Sequence, residues 1–357
     1  MTIVKNRLRF IEKFLSRFNP QFSKKQMAVF RDFIYAMFID YKRLSLSAIA
    51  NNANINYQKL QYFFSESDWN INELNNIRVK ILQNQRTTHA HNNGVLAIDD
   101  TACPKPYAKH TEGAQVQYCG PSGKQENCNV AVASCFVSNS KHFPVDFKSY
   151  LPITTPNPEN FKSKLDFAKE LIADAIAKGI PFRSVVVDSW YTSTDLIEFV
   201  ASKNLSLTAE VKSNRSILFT HPQTKQRRYL RAEQIIPIIK QFYQHKFKPV
   251  EIPQAGGSSK SVFTYSFKTK LKDCSTEVQV IFVFDKWSEH DIHNIHILIT
   301  TDLNISVKSA MLTYFLRWGI EESFRELKDS FCFDQYQVFH QEQIQRHWIM
   351  SFLAWTL

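Results

Sequence analysis

An α/β fold with one mixed sheet flanked by helices, preceded by an all-α segment and interrupted by a basic β-rich stretch, is predicted by three features of the 357-residue chain. Residues 1–92 carry apolar side chains at helical spacing. From residue 94 short apolar runs alternate with helical ones. Residues 213–300 replace that rhythm with runs of period two. Hydrophobic residues make up 44% and charged residues 22%, a globular composition that excludes disorder as the main theme. Only 8 glycines occur and neither G-x-G-x-x-G nor G-x-x-x-x-G-K-[ST] is present, which excludes a nucleotide-cradling loop.

The helical segment contains FRDFIYAMFIDY, followed by SLSAIANNANINYQKLQYFF, two short helices broken near Asn51–Asn54. Ala50, Asn54 and Leu60 follow helix-turn-helix spacing, although an ordinary helical hairpin has the same pattern. VLAIDD (95–100) and VAVASCFV (130–137) are buried strands, and NPENFKSKLDFAKELIADAIAKG is a helix stopped by Gly179. SVVVD (184–188) is a strand, TDLIEFVASKN a helix and LSLTAEV a strand. The β-rich stretch holds the flexible QAGGSSK, then SVFTYSF and EVQVIFVF; a single helix returns over 306–329. The expected domains are therefore 1–92, helical and DNA-binding; 93–212 with 301–357, catalytic; and 213–300, a basic β-rich insertion.

Positive charge is concentrated. Of a net +11, residues 1–44 carry +7 and residues 212–272 carry +11, leaving −7 for the remainder. A basic block is often no more than a solvated face, but segregation with interleaved aromatics points to nucleic acid, and Arg227, Arg228 and Arg231 are the expected phosphate contacts. The longest nearly unbroken apolar run, WIMSFLAWTL, is too short to cross a bilayer, and the basic N-terminus lacks a signal-peptide pattern, so a soluble cytoplasmic protein without a membrane partner is expected. That same run ends in mid-helix pattern, suggesting a missing C-terminal part. Six cysteines without a C-x-x-C pair are expected to be reduced and packed. His290, His293 and His296 recur every third residue without a further ligand at zinc-site spacing.

Carboxylates at the ends of buried strands are costly unless neutralised, which draws attention to Asp99, Asp100 and Asp188. Singly, each is as well read as a turn or cap residue. On a continuous helix Tyr314, Arg317, Glu321 and Lys328 fall within one stripe about 60° wide, with Glu322 and Glu326 outside it. A phenol, two cations and a carboxylate on one stripe suit a phosphodiester at a metal site, whereas a salt-bridged polar face is the plainer alternative.

These residues complete a Y-x(2)-R-x(3)-E-x(6)-K signature, and with IDDT (98–101) and VVVDSWY (185–191) the chain resembles the DDE transposases of bacterial insertion sequences, of the ribonuclease H-like superfamily. The separation of 133 positions from Asp188 to Glu321 resembles that of the subset with a β-rich insertion there. The resemblance implies a ribonuclease H-like sheet. It implies two Mg²⁺ ions, with Mn²⁺ as an alternative, held by Asp100, Asp188 and Glu321, and DNA phosphates held by Tyr314, Arg317 and Lys328. Asp100 is preferred to Asp99 because it directly precedes Thr101; alternation places the two on opposite faces without saying which faces the site. QYCGPSGKQENCN (117–129) resembles a segment of one branch, without a role for Lys124 or Gln125, and Trp287 is read as a packed residue or a base-stacking one. The implied activity is cleavage at transposon ends and strand transfer into target DNA, by a homodimer at the bacterial nucleoid. A retired transposase acting as a DNA-binding regulator, or a simple nuclease or resolvase, is the alternative.

Overall fold

The computed structural model describes residues 8–39, 45–120, 122–153, 161–253, 257–286 and 294–357. Trp287, His290, His293 and the start of QAGGSSK lie outside them.

The apolar runs pair into one mixed sheet because each is buried on both faces. Strand β1 (Val95–Pro104) pairs antiparallel with the end of β3 (Lys124–Ser138), which carries β2 (Gln115–Cys119) and β4 (Lys141–Tyr150). On its other edge β1 runs parallel to β5 (Ser184–Val187), and β5 parallel to β6 (Ser206–Glu210). This is the mixed sheet flanked by helices that the sequence predicts. The basic stretch extends the same sheet: β12 (Ile295–Thr300) pairs with β6, then β11 (Glu277–Phe284), β10 (Ser259–Lys270) and β9 (Lys248–Pro253) follow outward. Only β7 (Ser216–Thr220) and β8 (Arg227–Arg231) form a separate hairpin among the described residues. The stretch also holds a helix that period two does not suggest, α8 (Ala232–Phe242), whose Ile235, Ile236 and Ile239 pack under the hairpin's Ile217 and Phe219.

Alternation along the strands sorts side chains between two layers. Leu96, Ile98, Val185, Val187, Leu207 and Ala209 face α6 (Lys164–Ala177) and α7 (Thr194–Ser202). Val95, Ala97, Cys135 and Val186 face α10 (Trp318–Phe331), where they meet Ile320, while Leu298 faces α9 (Val307–Phe315). A Cβ on Gly319 would lie 2.5 Å from Val137 Cγ1, so glycine sets how closely α10 approaches β3. Gly179, at φ +68, ends the chain's turn out of α6 as expected.

The N-terminal helices α1 (Arg9–Leu15), α2 (Lys24–Ile39), α3 (Leu46–Ala53), α4 (Tyr57–Ser65) and α5 (Ile71–Gln83) share an apolar core with α10, with Ala131, Ala133 and Phe147 of the sheet and with α11 (Gln341–Thr356). Between α3 and α4 Asn54 adopts φ 53, the left-handed turn expected there, and Asn56 caps α4 through Gln58 and Lys59. Tyr57 and Tyr62 of α4 are exposed. Arg346 of α11 donates to the carbonyls of Phe64 (2.9 Å) and Ser67 (2.8 Å), tying the end of α4 to the sheet's own helices. All six cysteines are buried. Among the described residues no helix is long and apolar enough to cross a membrane.

Candidate active site

Three neighbouring parallel strands bring carboxylates to one level, at the ends of β5 and β6 and midway along β1. Ile98 pairs with Val187 and Val187 with Ala209, so Asp99, Asp188 and Glu210 follow side by side. Each comes one residue after a side chain buried against α6 and α7, so alternation turns all three toward α9 and α10. Turn geometry fixes Asp188: its Oδ1 accepts the backbone N–H groups of Trp190 (2.9 Å) and Tyr191 (3.1 Å). The hydroxyl of Thr192 lies 2.8 Å from the carbonyl oxygens of both Asp188 and Glu210, joining the two strand ends.

The fourth carboxylate comes from α10. Arg317 donates through Nη1 to Asp99 Oδ2 (3.0 Å) and through Nη2 to Glu321 Oε1 (2.5 Å), bridging strand and helix. Burial, then the charges of Asp188 and Asp100, pushes the Asp99 carboxyl up to about 7, with Arg317 opposing. Two carboxylates, Asp99 and Glu321, share one guanidinium here.

Asp100 points the other way. Its Oδ2 accepts from Lys164 on α6 (2.8 Å) and its Oδ1 from the Tyr191 hydroxyl (2.8 Å). The preference for Asp100, drawn from its place before Thr101, therefore does not match the packing: the strand's pleat sends Asp99, and not Asp100, to the face that carries Glu321. The continuous 306–329 helix is also not what forms. Leu316 and Arg317 make a tight turn, with i→i−3 bonds from Arg317 to Tyr314 and from Ile320 to Arg317, so the stripe is broken. Arg317 keeps its i, i+4 relation to Glu321. Tyr314 turns to Glu210, donating to Oε2 at 3.1 Å, and Lys328 donates to the Ala102 carbonyl at 2.7 Å. Glu322 and Glu326 stand apart, as the register predicts: Glu326 accepts from Trp355 Nε1 (2.8 Å) and lies 3.2 Å from His142 Nε2, and Glu322 lies 3.8 Å from His142.

Arg227, Arg228 and Arg231 are exposed on β8, away from the carboxylates, with Arg231 beside Glu233 at 3.5 Å. Sequence reasoning passed over Glu210 and Lys164, and gave Tyr191 and His296 no role at this site. Glu210 had a signal: LSLTAE ends in a carboxylate just as SVVVD does.

Among the described residues, no three His, Cys, Asp or Glu side chains converge closely enough to hold an ion as they stand. Arg317 occupies the place between Asp99 and Glu321. The donor set nonetheless suits a hard divalent cation, being carboxylate oxygens only, with the Asp99 carboxyl raised by burial first and by its like-charged neighbours second.

Comparison with known proteins adds the family. The chain is 29% identical over 182 residues to the "Probable transposase for insertion sequence element IS701" of Microchaete diplosiphon, covering 50% of this chain and 47% of that one. It thus spans about half the length of that relative. A solved Drosophila P element transposase strand transfer complex is 12% identical, aligned over 70% of this chain and 53% of that one with a TM-score of 0.26. The family model described as DDE superfamily endonuclease matches residues 17–256, which include Asp99, Asp100 and Asp188 but stop short of Tyr314–Lys328. With more than half of its length matched, the chain belongs to the DDE superfamily endonucleases, a family that depends on divalent metal.

Proposed function

We propose that this protein is a transposase that cuts DNA at the ends of an insertion sequence and joins those ends to target DNA, with Asp99, Asp188 and Glu321 as its metal ligands. The observation that carries the reading is the level row of Asp99 and Asp188 on the face of α10, linked to Glu321 through Arg317. Two Mg²⁺ ions, with Mn²⁺ as an alternative, would bind these carboxylates once Arg317 leaves them, and supply Lewis-acid activation of water or a 3′-hydroxyl. Arg317, released from Asp99 and Glu321, is then free to pair with a phosphate oxygen, its planar fork suiting that partner. Tyr191 and Lys164 hold Asp100 behind the row and so fix the stretch of β1 from which Asp99 projects. Lys328 braces β1 against α10 through the Ala102 carbonyl, a positioning role in place of the expected phosphate contact.

DNA is the proposed partner and a homodimer the proposed state in the DNA complex, at the bacterial nucleoid. Residues 1–92 would supply DNA recognition through the exposed side of α4, and residues 213–300 the non-specific affinity of Arg227, Arg228 and Arg231, on the charge distribution described above. Incubating the full chain with MgCl2 and a DNA fragment spanning its gene and flanks tests the reading. Nicks bearing 3′-hydroxyls together with joined products, both lost in Asp188→Asn, are expected. Nicking without joining would leave a simple nuclease, and binding without nicking a regulator.

A further inference from the structure

We propose that Glu210 is a positioning residue for DNA cleavage, holding Tyr314 so that its ring keeps Arg317 beside the carboxylates, within reach of the phosphate it takes once metal replaces it there. This rests on the proposed transposase activity and assigns it a residue that lies outside the Tyr-Arg-Glu-Lys signature. Glu210 ends β6 level with Asp188, and its side chain is engaged at both oxygens: His296 Nδ1 lies 2.8 Å from Oε1 and the Tyr314 hydroxyl 3.1 Å from Oε2. His296 projects from β12, the strand paired to β6, so the carboxylate is gripped from the sheet on one side and grips α9 on the other.

Tyr314 sits three residues before Arg317, at the turn that breaks α9 from α10. Its hydroxyl is largely buried, and Glu210 is the acceptor that satisfies it. The Arg317 guanidinium carbon lies 5.9 Å from the Tyr314 ring centroid while its nitrogens reach Asp99 and Glu321. A chain of contacts therefore runs Glu210, Tyr314, Arg317, Asp99. Glu210, Tyr314 and Arg317 also line one cleft of about 580 Å³ together with Ile252, Met311 and Trp318. Without Glu210, Tyr314 would have to find another partner or swing into that cleft, and Arg317 would lose the ring against which it lies. Glu210 is placed as a positioning residue rather than a metal ligand because its oxygens reach His296 and Tyr314, and not Arg317.

The test is nicking of supercoiled plasmid DNA with MgCl2 by the full chain and by Glu210→Ala, Glu210→Gln, Tyr314→Phe and the Glu210→Ala/Tyr314→Phe double variant. Misplacing Arg317 should slow turnover by about 10²-fold in Glu210→Ala with plasmid affinity changed by no more than about twofold. Gln keeps a carbonyl oxygen for the Tyr314 hydroxyl and should restore the rate to within about threefold of wild type. The double variant should be no slower than the slower single variant within about threefold, because both act through one contact. Additive losses, failure of Gln to restore the rate, or wild-type turnover by Glu210→Ala would each overturn the role of Glu210. A wild-type chain that does not nick would overturn the transposase reading instead.

Discussion

Arg317 and Asp99 are joined by a 3.0 Å ion pair that spans from the α9–α10 turn to the middle of β1, and the same guanidinium holds Glu321. This pair, together with strand alternation, separates Asp99 from its neighbour. Asp99→Asn should lower metal-dependent nicking by about 10³-fold or more, whereas Asp100→Asn, which loosens Lys164 and Tyr191 on the opposite face, should keep activity within about tenfold and instead cost about 1–2 kcal/mol of stability. Nicking rates and urea midpoints of the two variants check this; the reverse pattern would return the role to Asp100.

The three glutamates of α10 are expected to differ in kind. Glu321→Gln should abolish cleavage. Glu322→Gln should leave it within about tenfold, or ~1.4 kcal/mol of barrier. Glu326→Gln weakens contacts to Trp355 and His142 and should cost about 1 kcal/mol of stability with cleavage retained. An inactive Glu322→Gln beside an active Glu321→Gln would show the register to be wrong.

Replacing Arg346 with Met keeps its apolar stem but leaves the carbonyls of Phe64 and Ser67 without their buried donors. A loss of about 2–3 kcal/mol is expected, since these bonds carry a charged donor. Equal stability of Arg346→Met and wild type in urea would mean that α4 is held to α11 by packing alone.

His347 is fully buried among Phe33, Tyr336 and Cys332, and burial pushes its imidazole down to about 4, with the Cys332 carbonyl opposing. The unfolded chain, with a value near 6.5, binds the proton first, so stability is intact above that pH and falls as pH drops toward 4. The loss saturates below 4, at an upper limit of about 3 kcal/mol. His347→Gln should flatten the fall between these two pH values; an unchanged profile would place the acid sensitivity elsewhere.

The exposed β8 arginines should act through phosphate neutralisation. Replacing Arg227, Arg228 and Arg231 with Gln should reduce the slope of log K against log salt by about 0.9 for each phosphate no longer neutralised, with less from Arg231, which already pairs with Glu233. Measuring plasmid affinity across a salt series decides it, and an unchanged slope would remove this face from the DNA-binding surface.

What the sequence determined by itself was local or periodic. The end of β5 before Asp188 follows from an apolar run that stops at a carboxylate, the α3–α4 break from Asn54, and the α6 stop from Gly179, whereas β1 runs on past Asp99 to Pro104. The separation of Glu321 from Glu322 and Glu326 needed only the helical repeat within α10. The tertiary structure alone decided the rest. Period two states that Asp99 and Asp100 face opposite ways, but which way depends on the layer that covers each face, and only the packing of Val95 and Ala97 against Ile320 fixes it. A continuous stripe from Tyr314 to Lys328 presumes a straight helix, whereas the close seat of Gly319 on Val137 goes with a turn at Leu316–Arg317 that sends Tyr314 to Glu210. The partnership of Glu210 with His296 and Tyr314 joins residues up to 104 positions apart, and it exists because β12 pairs with β6 and α9 packs across both, a long-range arrangement that no local pattern encodes.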